Sequence, residues 1–189
     1  TEVGSLFLLP KYRLPGVGQM LARARYLLMA DARARFSSQV MAELRGVVNA
    51  DNQSPLWEAL GSKFFDMDFQ QAVNVAATQG STFITELMPK HPIYVELLAK
   101  GARNTLSVPN SNSAPALRML EKEGFSHSGL IDLFDGGPSV EAQLEDIKTV
   151  KESQLVSVIG TEDSSTVDEY YISNASLADF RLIKAYGRI

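Results

Sequence analysis

The 189-residue chain contains no cysteine. That absence excludes a disulfide framework, a cysteine nucleophile and a thiolate metal site. Histidine is scarce as well, with His91 and His127 the only two, so imidazole chemistry has two places to act. No apolar run approaches the ~20 residues needed to span a bilayer as a helix, and nothing at the N-terminus looks like a signal peptide. No membrane partner is expected, and the cytoplasm is the expected compartment. Neither sign of charge dominates: 18 Lys and Arg against 22 Asp and Glu give a formal net charge of −4. A general nucleic-acid surface is disfavoured by that balance, whereas a local basic patch around phosphates stays compatible with it. With 45% hydrophobic and 21% charged residues, the composition is that of an ordinary globular protein with material for one or two cores.

What is present starts at Leu6. Residues 6 to 18 read Leu-Phe-Leu-Leu-Pro-Lys-Tyr-Arg-Leu-Pro-Gly-Val-Gly, an apolar strand-like run followed by Arg13-x-x-Gly16-x-Gly18. An amphipathic helix should follow to about Phe36, because Val17, Leu21, Ala24 and Leu28, with Met20 and Leu27 beside them, recur at three- and four-residue steps. Two glycines allow a tight turn with bare N–H groups, and the positive end of the helix dipole points at whatever those groups bind. A pyrophosphate is the expected ligand; a plain tight connection is the bland alternative.

Further along, Val40, Ala42 and Leu44 alternate with Met41, Glu43 and Arg45, the period of a strand with one polar face. Glu43 and Arg45 then point the same way. Ser54 and Pro55 suit the N-cap and first residue of a helix through Lys63. Residues 70–79 read as a helix ending at Gly80, 82–88 as a strand, 93–104 as a helix, and 105–108 as a short strand. Residues 114–123 read as a helix stopped by Gly124, and 130–134 as a strand closed by the Gly136-Gly137-Pro138 turn. Leu8-Leu9-Pro10-Lys11-Tyr12 echoes Leu87-Met88-Pro89-Lys90-His91, and Trp57 to Phe65 echoes Leu117 to Phe125. A degenerate duplication would produce both echoes, as would chance similarity of short amphipathic helices.

The strand, Arg-x-x-Gly-x-Gly and helix together resemble the acyl-CoA-binding core of the GNAT superfamily of N-acyltransferases. Six further blocks narrow the match: 41–47 (Met-Ala-Glu-Leu-Arg-Gly-Val), 54–61, 64–69, 86–94, 120–125 and 131–138 (Ile-Asp-Leu-Phe-Asp-Gly-Gly-Pro). In that order they resemble the arginine N-succinyltransferase family, well over residues 6 to about 150 and weakly in the tail. The resemblance implies an α/β (α+β) fold, a GNAT-like mixed twisted sheet flanked by helices. It divides the chain into an acyl-CoA-binding core (1–70), a second, degenerate half (71–150) and a C-terminal extension (151–189). It also implies that family members carry strands before the loop that this chain lacks. A fragment is therefore expected, or one piece of a homo- or hetero-oligomer, because an uncovered strand edge needs a partner.

The reaction implied is succinyl transfer from succinyl-CoA, as co-substrate and without a metal, to the α-amine of L-arginine or ornithine. Such a transfer needs proximity, loss of an amine proton, oxyanion stabilisation and protonation of the departing thiolate. The resemblance places the acyl-CoA contacts at Leu6, Leu8, Arg13, Gly16, Val17 and Gly18. It implies a catalytic histidine in a Val-His motif before an Ala-Pro-Ala helix, where this chain reads Val108-Pro109-Asn110-Ser111-Asn112-Ser113-Ala114-Pro115-Ala116. Asn110 takes the histidine's place, and asparagine cannot shuttle a proton. The remaining proton-transfer candidates are His91, inside a matching block, His127 and Glu43. Arg45 either pairs with Glu43 or grips the succinyl carboxylate bidentately. Asp66, Asp68, Asp132 and Asp135 are caps and turn residues or guanidinium ligands, with Asp132 and Asp135 preferred for the substrate. Lys11, Arg23 and Arg25 either reach CoA phosphates or form a solvated helix face.

Overall fold

The computed structural model describes residues 1–161, 167–174 and 176–188; the remaining positions of the C-terminal extension lie outside the described residues. Helices and antiparallel strands mix along the chain, which is the α/β class expected from the sequence. One sheet has three strands in the order β1-β3-β2, formed by β1 (Gln39–Glu43), β2 (Ser126–Ile131) and β3 (Pro138–Gln143). β2 and β3 are antiparallel, with His127 opposite Val140 and a register irregularity between His127 and Ile131. A second sheet is the antiparallel hairpin β4 (Asp168–Ser173) and β5 (Leu182–Gly187), in unbroken register from Asp168↔Gly187 to Ser173↔Leu182.

The chain separates into two compact units. The first holds Thr1–Val40, Lys122–Gly124 and the described part of 142–189. Its central helix α1 (Val17–Asp31) buries Ala22, Tyr26 and Met29, one stripe at four- and three-residue steps. α1 packs against β4 and against α7 (Lys148–Glu152), whose Val150 is buried. Burial pushes the Tyr26 phenol up to about 12.

The second unit holds Met41–Glu121 and Phe125–Glu141. Its core forms around Trp57, which is 0% exposed and stacks on Phe65 and Phe134, each at a centroid distance of 5.4 Å. The helix carrying Trp57 opens with Ser54, whose Oγ accepts the Trp57 N–H at 3.1 Å. It passes through a π-helical turn (Trp57–Gly61) into α2 (Ser62–Phe65). The indole N–H donates to the Met67 carbonyl at 3.0 Å, so the buried polar atom is satisfied. Next comes α3 (Phe69–Gln79). Asp68 accepts the Gln71 N–H and Gln71 accepts the Asp68 N–H, a reciprocal capping box. α4 (Thr82–Leu87), α5 (Lys100–Arg103) and α6 (Ala114–Lys122) complete the unit. The expected stops after α3 and α6 are both present, as Gly80 and Gly124 at φ 84° and 100°.

Four local expectations are corrected. Residues 6–9 form no strand; Phe7 and Leu9 are 67% and 50% exposed, and no ladder among the described residues takes up their backbone. Residues 82–87 of the strand expected over 82–88 are helical, with Met88 the extended cap, because Phe83, Ile84 and Met88 reach the Trp57 cluster, with Phe83 edge-on to Phe65. Between 93 and 108 only a 3₁₀ turn (Val95–Leu97) and α5 form, and 105–108 is a turn in which Ser107 adopts φ +60°. Finally, the strand placed at 130–134 lies at Ser126–Ile131, and Asp132 to Gly136 make a turn instead.

Candidate functional site

In the first unit, a 3₁₀ turn (Pro10–Tyr12) leads into the glycine loop, and the Arg13 Nε–H donates to the Leu8 carbonyl at 3.1 Å. Gly16 caps α1 at φ +84°, a left-handed conformation that suits glycine. The Val17 N–H donates to the Leu14 carbonyl and the Met20 N–H to the Gly16 carbonyl. The N–H groups of Gly18 and Gln19 have no acceptor among the described residues. Open N–H groups at the positive end of a four-turn helix are the expected anion-binding arrangement. A Cβ built on Gly16 or on Gly18 would meet nothing within 4 Å, so the approach is open.

In the same unit, Ser5 (φ +54°), Leu6, Leu21, Ala24, Arg25 and Phe180 are among the residues lining an open depression of about 300 Å³. Two residues selected from the sequence on separate grounds, Leu6 and Arg25, thus meet. The Arg25 Nε is buried without a hydrogen-bond partner. Arg23 is committed internally instead: its Nε donates to the buried Glu123 carboxylate at 2.9 Å, and its guanidinium lies 5.5 Å from the Tyr171 ring. Leu8 and Val17 are half-buried.

In the second unit, Arg45, Asn110, Asp132 and Asp135 lie along one connected set of turns. Gly46 bridges Pro109 as an isolated antiparallel pair, and the Asn110 N–H donates to the Arg45 carbonyl at 2.9 Å. Asn110 Oδ1 accepts the N–H groups of Asn112 at 3.0 Å and Ser113 at 2.9 Å, which caps the entry to α6. Asp132 Oδ1 accepts the Phe134 and Asp135 N–H groups at 2.8 and 3.0 Å. Asp135 is 1% exposed; its Oδ1 accepts the Gly137 N–H at 2.9 Å, and its Oδ2 lies 3.9 Å from Arg45 Nη1. Desolvation, helped by the like charge of Asp132, pushes the Asp135 carboxyl above its ordinary value near 3.8, against the pull of the Gly137 and Gly46 N–H groups and of Arg45.

Glu43 is exposed at the end of β1, two residues before the exposed Arg45. His91 sits on an exposed bend. His127, exposed on β2, has its Nδ1 3.4 Å from Ser107 Oγ, and the Ser107 N–H donates to the Gly136 carbonyl. The Ser107 contact is a site feature that sequence reading missed, because nothing local predicts a serine at positive φ. Asp66 is a left-handed C-cap and Asp68 an N-cap, so both take the bland roles considered for them. No group of three or more metal-ligating side chains is gathered among the described residues.

A family model described as the arginine N-succinyltransferase beta subunit matches residues 1–149. The arginine N-succinyltransferase of Escherichia coli O6:H1 is 39% identical over 184 residues, which is 97% of this chain and 54% of that protein. The enzyme of the same name from Shigella boydii serotype 18 is 38% identical over 186 residues, 98% of this chain and 54% of its own length. A solved structure, the arginine/ornithine succinyltransferase subunit AI from Pseudomonas aeruginosa, superposes with a TM-score of 0.82 at 29% identity, over 98% of this chain and 52% of that one. The chain therefore spans about half the length of the relatives it matches.

Proposed function

Since the chain belongs to the arginine N-succinyltransferase beta-subunit family, we propose that it is the acyl-CoA-binding part of an N-acyltransferase. That enzyme moves succinyl from succinyl-CoA to the α-amine of L-arginine, or of ornithine, in arginine catabolism. The observation that carries the reading is the loop before α1, where Gly16 turns the chain and leaves the Gly18 and Gln19 N–H groups open. Arg13 holds the loop through Leu8, and Leu6, Leu8, Gly16, Val17 and Gly18 contact the cofactor. Arg45 takes the free carboxylate of the acyl group, and Asp132 lies near the acceptor. The amine nitrogen attacks the thioester carbonyl, its proton leaves to a base, and the carbon–sulfur bond breaks to give the amide and the protonated thiol. Glu43 and His91 are the bases proposed from the sequence, and Asn110 orients without moving a proton. We further place the fold in the GNAT class, the internal echoes in a degenerate duplication, the protein in the cytoplasm, and the chain in a homo- or hetero-oligomer or a longer polypeptide.

Asn110 favours a second reading, in which the chain binds CoA as a subunit or fragment without full catalysis, because its side-chain oxygen is occupied in capping α6. Thermal shift with succinyl-CoA, acetyl-CoA and free CoA tests the common premise. All three are expected to raise the melting temperature, and no shift with any of them overturns both readings. Thiol release with arginine then separates the two.

A further inference from the structure

The Arg45 guanidinium is 68% exposed, yet it is not placed like a free surface arginine. Its backbone is fixed on both sides, by the Asn110 N–H on its own carbonyl and by the bridge from Gly46 to Pro109. Among the described residues its side chain pairs with Asp135, a carboxylate sealed from solvent at 1% exposure. At 3.9 Å the pair is an ionic contact too long for a hydrogen bond, so the N–H donors of Arg45 remain available while its charge is attracted from behind. The turn that holds Asp135 has no slack: a Cβ on Gly46 would collide with the Asp135 carbonyl, and one on Gly137 with the Leu44 carbonyl. Burying a carboxylate here is unfavourable in itself, and the backbone N–H groups of Gly137 and Gly46 bond it in place. Held that way, it sets a negative charge behind one exposed guanidinium.

We propose that Asp135 is a positioning residue that aims Arg45 at the free carboxylate of a dicarboxylic acyl group, so that this turn selects a dicarboxylate over a monocarboxylate. The inference rests on the acyltransferase reading above, and it changes the role of Asp135, which is too buried to touch an acceptor. Arg45 keeps a planar fork toward solvent, the geometry that takes a carboxylate bidentately. Asp135 restricts the directions in which that fork can turn, much as outer-sphere carboxylates orient metal-binding histidines.

The test uses the whole chain, with succinamate, which carries one free carboxylate, and uncharged butyramide as probes and the backbone N–H signals of Gly46 and Asn110 in nuclear magnetic resonance as the readout. Succinamate is expected to shift those signals at concentrations roughly tenfold below butyramide, in keeping with a charged hydrogen-bonded contact. Asp135→Asn keeps an acceptor for the Gly137 N–H; it is expected to weaken succinamate by roughly threefold and leave butyramide unchanged. In an Arg45→Ala background the same substitution should do nothing further. Equal binding of succinamate and butyramide to the native chain overturns the proposal, as does an Asp135→Asn variant that keeps the native preference. Should Asp135→Asn fail to fold, Arg45→Ala decides alone, since this exposed position tolerates it: retained preference overturns the proposal. Thermal shift with free CoA, which has no acyl group, runs beside it. A CoA shift without succinamate preference refutes this inference alone, and succinamate preference without a CoA shift refutes the acyl-CoA reading alone.

Discussion

At the scale of single residues, Asn110 shows how one side chain can be committed to structure at a position where chemistry was expected. Asn110→Ala removes two hydrogen bonds at the entry to α6 and should cost about 1 kcal/mol, read as a melting temperature about 2–4 °C lower for a chain of this size. Asn110→Asp keeps an acceptor and should lose less. Asn110→His loses the cap but gains an imidazole; under the acyltransferase reading it raises succinyl transfer to arginine in a thiol-release assay, where acid–base help is typically worth about 10²- to 10⁴-fold. Gly16→Val strains a backbone held at φ +84° and puts a branched side chain where the anion enters. It should abolish CoA binding by isothermal titration, and unchanged affinity in a folded variant would remove the loop from the site. Asp135 makes a prediction with a sign. Burial lifts its carboxyl above the unfolded value near 3.8, so the fold favours the protonated form. That contribution is complete below 3.8 and is lost as pH rises through the higher folded value. Asp135→Asn should therefore melt close to the native chain at low pH and gain on it toward neutrality. The start of α6 was open to sequence reading, because Asn112-Ser113-Ala114-Pro115 is a helix-start signal, whereas the capping oxygen comes from Asn110, two residues earlier. The burial of Asp135 was not, because it depends on Gly46, which is remote in the chain.

At the scale of elements, what the sequence revealed tracks where one period dominates. α1 follows from its apolar periodicity, but it ends at Asp31 rather than near Phe36, and it buries Ala22, Tyr26 and Met29 rather than the expected stripe of Val17, Leu21, Ala24 and Leu28. β1 follows from its alternation, and α3 from its closing Gly80. β3 escaped because Pro138, Ser139, Val140 and Ala142 are all buried, so the strand carries no polar face to set a period of two. The 82–88 segment misled in the opposite way: Thr, Phe, Ile and Thr favour strands by propensity, and packing of Phe83, Ile84 and Met88 on the Trp57 cluster overrides that preference. The run from Leu6 to Leu9 has the composition of a strand but no neighbouring strand among the described residues. Trp57 ties these elements together through Phe65, Phe134 and the Met67 carbonyl. Trp57→Ala should cost about 3–5 kcal/mol in urea unfolding, the range for deleting a large buried aromatic. A loss under 1 kcal/mol would mean that the cluster carries little of the stability of its unit.

At the scale of the whole molecule, two packing units interleave in sequence, whereas the division at residues 70 and 150 is one of ancestry and stays a proposal. Two units need not melt together, so thermal unfolding should be followed by more than one probe. A ligand that binds only the folded first unit is expected to raise the transition reported by Tyr26 more than the one reported by Trp57, by an amount set by its concentration over its dissociation constant. Equal shifts would show that the units unfold as one. The contact at Gly46 and Gly137 bears on how this chain can change through its history. Each glycine abuts main-chain atoms, the Asp135 carbonyl and Gly137 nitrogen on one side and the Leu44 carbonyl and Gly46 nitrogen on the other. A mutation at either position has no second-site suppressor within the pair, because the partner is already the smallest residue there is. In a selection for revertants, such lesions should return only by restoring the original codon's meaning, leaving two fixed points around which the rest of the turn is free to drift.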